Sequence, residues 1–277
     1  MNVRYTIDNV EHVINVSDEQ NFLIGDDIIL SNENTDITFN QKWYNEGFTI
    51  EKIFSNDNFL LLKDGITKTI IKIINENTQI NTNGFTLEKY HNYVKTNEEH
   101  FKIVSKTRDL FPKDFNFNII EILSEFEKTL GFKLSDIDSH TNEPFHIIIR
   151  INRPNSFDYN PPHKDMYESY DDGCISLFLN FWVPICGVTK KSSLPVVPKS
   201  HKLPENLILR TVEGGLVSNN KYRVRFVKSW DNKNDLVRVN INYGDVLIFS
   251  SHLVHGLAIN NEDDITRVAL EFRLFKK

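Results

Sequence analysis

The amino-acid sequence predicts a mainly β protein with buttressing helices, a sandwich or jelly roll, and three observations carry that expectation. From residue 145 onward the chain becomes a series of apolar, β-branched and aromatic runs, at 145–151, 175–183, 194–197, 207–211, 222–227, 236–241, 245–249 and 268–275. Turn formers separate those runs: Pro154, Pro161-Pro162, Gly173, Pro184, Gly187, Pro204, Gly214-Gly215 and Gly244. Before residue 140, by contrast, apolar residues recur at intervals of three and four, the spacing of amphipathic helices. Many short strands with Gly and Pro at their ends, preceded by a few helices, fit two curled sheets with the helices against one of them.

Residues 1–40 are polar with short apolar pieces at 22–24 and 28–30, and they are expected as an irregular or short-stranded lead-in. Residues 42–50 suggest a short helix or turn running into a strand, with Gly47 at the break. Ser55 is placed to cap a helix whose buried face is Phe59, Leu62, Ile66, Ile70 and Ile73. Leu87, Tyr90 and Val94 suggest a second helix after the turn at 81–84. A third spans about 116–130: Ile119, Ile120, Leu123, Phe126 and Leu130 share a face, and Gly131 sits where a left-handed cap belongs. No linker and no repeat divides the chain, so residues 1–277 are expected to form one domain, with a helical and irregular part over 1–140 and a β core over 145–275.

Composition narrows the function classes. With 40% hydrophobic and 25% charged residues and a formal net charge of -6, the chain is globular and lacks the basic footprint that nucleic-acid binding needs. Its start, Met1-Asn2-Val3-Arg4-Tyr5-Thr6-Ile7-Asp8, has no long apolar run, so neither a signal peptide nor a membrane span is expected. Cys174 and Cys186, without the spacing of a zinc site, are expected as packed thiols in a reducing compartment, the cytoplasm.

The chemistry centres on Pro161-Pro162-His163-Lys164-Asp165, read with the segment 243–256 that ends in His255-Gly256. In an extended strand His163 and Asp165 point the same way. A third ligand from another strand would complete two imidazoles and one carboxylate, the set that holds Fe(II) on one face and leaves positions open for a co-substrate and dioxygen. His-x-Asp is weak on its own, and a solvated loop after two prolines is the bland alternative. The Gly-Asp-apolar strand leading to His255, and the arginine beyond it, raise the metal reading above that. His255 is preferred to His252 because Gly256 lets the backbone come close. Arg267 offers a fork for a carboxylate of a dicarboxylate co-substrate, against the alternative of a surface ion pair with Glu262 or Asp264. Its strand puts Arg267, Ala269, Glu271 and Arg273 on one face and Val268, Leu270, Phe272 and Leu274 on the other.

In order along the chain, Pro162-His163-Lys164-Asp165, Phe181-Trp182-Val183-Pro184-Ile185, Val197-Pro198-Lys199-Ser200-His201 and the segment from Gly244-Asp245 through His255-Gly256 to Asn260 and Arg267 resemble the phytanoyl-CoA dioxygenase family. The likeness covers about 145–275 and, loosely, Gly47-Phe48 and the helix after Ser55. It implies a double-stranded β-helix (jelly roll, cupin-like) and an Fe(II)- and 2-oxoglutarate-dependent dioxygenase. Carried over by position, His163, Asp165 and His255 are the implied iron ligands, and Arg267 binds the far carboxylate of 2-oxoglutarate. Lys199 stands where the family has glycine, and Leu257 where a polar residue often follows the distal histidine, so a further hydrogen bond to the co-substrate is expected from Thr266 or Asn180. Because Asp165 is a carboxylate and not a small residue, hydroxylation is favoured over halogenation.

Substrate signals are thinner. Lys221, Arg223 and Arg225 alternate with apolar residues and could hold an anion, although a solvated face explains them at least as well. Tyr167, Tyr170 and the loop to Gly173 could form a lid, and Phe157, Tyr159 and Trp182 are either walls or core. The expectation is hydroxylation of a small metabolite, anionic or carbohydrate-like, with dioxygen and 2-oxoglutarate as co-substrates and no nucleic-acid or membrane partner. The alternatives are a non-catalytic ligand- or metal-binding module on the same scaffold, or the same iron chemistry ending in desaturation, epimerisation or cyclisation.

Overall fold

Val3, Tyr5 and Ile7 turn inward while Asn2 and Arg4 face solvent, and this alternation makes β1 (Asn2–Ile7). Asp8 and Asn9, both at positive φ, turn it into β2 (Val10–Asn15). In this computed structural model every residue is described except 18–21, 25–30, 109, 116–118, 139–141, 145–146, 171–176 and 218–219. Expectations for 28–30, for the strand starts at 145 and 175, for 171–173 and for Cys174 lie outside the described residues, as do the side chains of Ile119, Ile120 and Tyr170. The lead-in is thus a hairpin, followed by the short β3 (Phe22–Ile24).

Gly47, at φ 85°, breaks the turns before β4 (Phe48–Lys52). α1 (Asn56–Asn77) starts at Ser55, whose side chain accepts from the Asn58 N–H, and buries the face the spacing predicts. The helix expected near Leu87 is short: a 3-10 turn, then α2 (Tyr90–Tyr93). α3 (Asn97–Lys106), not anticipated, opens with a capping box between Thr96 and Glu99. α4 (Ile119–Leu130) ends at Gly131, φ 77°.

The β region contains β5 (Leu134–Ser135), β6 (Ile148–Asn152), a helical turn α5 (Tyr167–Tyr170), β7 (Phe178–Cys186), β8 (Pro195–Val196), β9 (Ile208–Thr211), β10 (Gly215–Val217), β11 (Asn220–Tyr222), β12 (Val227–Trp230), β13 (Asp235–Arg238), β14 (Asp245–Ser250) and β15 (Arg267–Lys276). The run expected as one strand over 222–227 is split: β11 ends at Tyr222 and β12 begins at Val227. Between them the Phe226 N–H is drawn to Thr211 Oγ1.

The major sheet has the order β4-β14-β7-β15, with β6 along the first half of β15 and β5 at its end. Leu179, Phe181 and Val183 of β7 and Val268, Leu270, Phe272 and Leu274 of β15 pack outward against Ile66, Ile70 and Ile74 of α1 and Phe126 of α4. By alternation Asn180, Trp182, Arg267, Ala269, Glu271 and Arg273 turn to the opposite, inner face. The facing layer is built from β2-β1-β13-β8 and β12-β9-β3. Isolated bridges stitch these together, Val196 to His255, His255 to His163 and His163 to Phe226. Two curled, mainly antiparallel sheets therefore face each other as a jelly roll. Among the described residues no helix is long and apolar enough to cross a membrane.

Candidate metal centre

The two histidines are paired before any ligand is considered. The His163 N–H donates to the His255 carbonyl at 2.9 Å, and the His255 N–H returns the bond at 3.0 Å, so the residues stand directly opposite in an antiparallel bridge. Side chains of such a pair leave the sheet on one face, and the imidazole centroids lie 4.4 Å apart. Gly256, at φ 131°, permits this approach, because a Cβ there would lie 2.6 Å from the Pro161 carbonyl oxygen. Asp165 joins them: its Oδ1 is 3.3 Å from His163 Nε2 and its Oδ2 is 3.7 Å from His255 Nε2. Their ligand atoms all lie within 4.8 Å of one another, and all three side chains are buried.

Hydrogen bonds orient both rings. His163 Nδ1 lies 2.7 Å from the Pro161 carbonyl and His255 Nδ1 lies 3.0 Å from the Leu253 carbonyl. A carbonyl only accepts, so each Nδ1 carries a hydrogen and each Nε2 faces Asp165. Burial alone would lower His163, but that carboxylate raises it, and a cation between them would take the place of the proton on Nε2. Burial, then the neighbouring His163, pushes His255 down to about 4, which keeps it a neutral ligand at physiological pH. Burial alone would raise Asp165, but Arg273, His255 and His163 outweigh it and hold the carboxyl well below its usual range. Two imidazole lone pairs and a carboxylate converging in a buried site call for a cation between them, and this donor set suits Fe(II).

Arg267, the first residue of β15, is 1% exposed. Its Nη1 donates to Asn152 Oδ1, and its guanidinium lies 5.2 Å over the Trp182 ring. Nε and Nη2 are buried and find no partner among the described residues, and burial lowers the group to about 10. A buried guanidinium with two idle N–H groups is expensive unless an anion answers it, and a carboxylate matches that fork.

A cavity of about 1110 Å³ opens over the triad, its wall including Asn180, Phe249, Arg267 and Glu271. That is ample for a co-substrate and a further small molecule. Asn180 Nδ2 is buried without a partner among the described residues. Thr266 is turned away: its Oγ1 lies 2.8 Å from His91 Nδ1, and it is not on the cavity wall. Tyr167 is likewise drawn off, its hydroxyl donating to Glu205 at 2.8 Å in a buried cluster with Lys164 and Arg210. Trp182 supports Arg267 from below, and Arg223 and Arg225 do not line the cavity, whereas Lys221 and Tyr222 do. His252 is fully buried, its Nε2 2.9 Å from the Thr35 carbonyl. One residue left without a role by the sequence stands out: Arg273 Nη2 lies 3.0 Å from Asp165 Oδ1. Its place on the polar face with Arg267 was the available signal.

A jelly roll holding two imidazoles and one carboxylate beside a buried arginine defines the cupin-like class of non-haem iron enzymes. The chain belongs to the phytanoyl-CoA dioxygenase family, whose model matches residues 74–268. It is therefore an enzyme of the iron- and 2-oxoglutarate-dependent oxygenase type, with iron as its metal and 2-oxoglutarate as its co-substrate. Among solved structures it is similar to AviO1 from Streptomyces viridochromogenes Tue57, at 13% identity over 85% of this chain and 92% of that one, TM-score 0.48. A second is EvdO2 from Micromonospora carbonacea var. aurantiaca, at 14% identity over 90% and 94%, TM-score 0.47. A third is the non-heme monooxygenase ThoJ, at 13% identity over 85% and 76%, TM-score 0.49. No curated protein matches in sequence.

Proposed function

We propose that the protein hydroxylates a C–H bond of a small metabolite, anionic or carbohydrate-like, at an iron held by His163, Asp165 and His255. The observation that carries this reading is the convergence of both Nε2 atoms and a carboxylate beside the idle Nε and Nη2 of Arg267. Iron held there, with 2-oxoglutarate, would activate dioxygen, the oxidant: one oxygen atom would go to succinate as the keto acid loses CO2 and the other to the C–H bond.

The chain's residues do the rest. The Pro161 and Leu253 carbonyls hold the imidazole tautomers that keep each Nε2 lone pair toward the ion. Arg267 receives the far carboxylate of 2-oxoglutarate, and Trp182 shields that pair from water. Asn180 Nδ2 is free to donate to the co-substrate within the cavity. Phe101, Phe157, Lys95, Asn97 and Lys221 all line it. Aromatic faces, amides and lysines together suit a hydroxylated or anionic ring better than a plain hydrocarbon.

The test is succinate release from 2-oxoglutarate under air with added ferrous iron. The unaltered protein is expected to turn over slowly alone and faster with an acceptor that gains the mass of one oxygen, while His163→Ala is expected to lose at least 100-fold. Equal turnover by the two proteins would remove the reading.

A further inference from the structure

We propose that Arg273 is a positioning residue for the metal centre, holding Asp165 so that a single carboxylate oxygen meets the ion. The inference rests on the metal-centre reading above and goes beyond it. Arg273 reaches from the inner face of β15 with both ends of its fork engaged. Nη2 lies 3.0 Å from Asp165 Oδ1, and Nη1 donates to Glu168 Oε2. The guanidinium also rests 4.9 Å over the Phe178 ring, which fixes its plane. Its two carboxylate partners are joined by a tight turn, in which the Glu168 N–H donates to the Asp165 carbonyl at 3.1 Å.

The imidazoles alone leave the choice of oxygen undecided. Oδ1 is 3.3 Å from one Nε2 and Oδ2 is 3.7 Å from the other. A carboxylate so placed can offer a cation either oxygen or both. If both bind, the protein occupies four of the six positions around the metal. A chelating keto acid needs two and dioxygen one, so only three protein atoms can be accommodated. Arg273 breaks the tie by engaging Oδ1 in a charge-assisted hydrogen bond, leaving Oδ2 for the ion.

Fe(II) affinity, measured by anaerobic titration calorimetry on the metal-stripped protein, tests this against plain electrostatics. Removing a cation from beside a metal site should tighten binding if charge were all that mattered. Positioning predicts the opposite: Arg273→Gln is expected to weaken Fe(II) binding about 10- to 100-fold with little change in the melting temperature of the stripped protein. Arg273→Lys, which keeps the charge but cannot bridge two carboxylates, should recover only part of that loss. Unchanged or tighter binding by Arg273→Gln overturns the proposal. Should that variant fold poorly, Glu168→Gln decides, because Glu168 is half exposed: a several-fold loss supports the clamp, and unchanged affinity overturns it. His163→Ala serves as the control. If it also leaves Fe(II) affinity unchanged, the metal-centre reading itself is what has failed.

Discussion

Arg267 keeps two N–H groups where water does not reach them, and its substitution separates co-substrate binding from metal binding. Arg267→Met is expected to weaken 2-oxoglutarate binding about 10- to 100-fold, the ~1.5–3 kcal/mol of hydrogen bonds to a charged group. Fe(II) affinity should hardly move, and titrating each ligand in turn without oxygen checks both halves. Another residue contributes to the acid limit of stability, together with His201 and His255, which burial lowers in the same direction. Burial lowers His100 to about 4, outweighing the pull of Asp158, so the folded protein keeps it neutral. The unfolded chain takes up that proton near its ordinary value of ~6.5, and thus binds more protons than the folded one between about 4 and ~6.5. Stability is present above that window and lost as pH falls through it. His100→Gln should flatten the fall in melting temperature between pH 7 and 4, and an identical fall in both proteins would refute the assignment. That His163, Asp165 and His255 converge, with Arg267 on the same cavity wall, was legible because metal and carboxylate chemistry admits few side chains. Arg273 was visible only as a member of a polar face, since its partner lies on a distant segment.

Among the elements, the segment that follows β14 and carries His255 depends most on one small residue. Gly256→Ala would bring a Cβ against the Pro161 carbonyl at a backbone angle that favours glycine. Forcing the strands apart there is expected to cost ~1–3 kcal/mol and to weaken Fe(II) binding at the same time, measurable by denaturant unfolding and by titration. α1 and β15 were legible because long apolar patterns survive their surroundings, and β14 because a short unbroken apolar run after Gly244 reads as a buried strand. α3 escaped notice although Thr96 and Glu99 spell a capping box, since only His100 and Ile103 of its ten residues are buried. The split of the 222–227 run was not legible either, because it is imposed by Thr211 and His163 across the sheet.

At the scale of the whole molecule, the aromatic stack between helices and major sheet ties the site to the fold. Phe181 lies 4.3 Å from Phe126 of α4 and 5.1 Å from Phe272 of β15. On the other face of those same strands stand Asn180, Arg267 and Arg273. Phe181→Ala is therefore expected to lower unfolding free energy by ~3–5 kcal/mol, read from urea titration. Two sheets and flanking helices could be anticipated from periodicity, but the order of strands in the facing layer could not. That layer closes through single bridges at Val196, His255, His163 and Phe226, each between residues far apart in the chain. Because strand side chains alternate in direction, sliding either histidine segment by one position would turn its imidazole outward and present a neighbour instead. The reciprocal hydrogen bonds between His163 and His255 thus act as an alignment mark: chains that fold with those segments out of step carry the same side chains and still cannot bring the two imidazoles and Asp165 together.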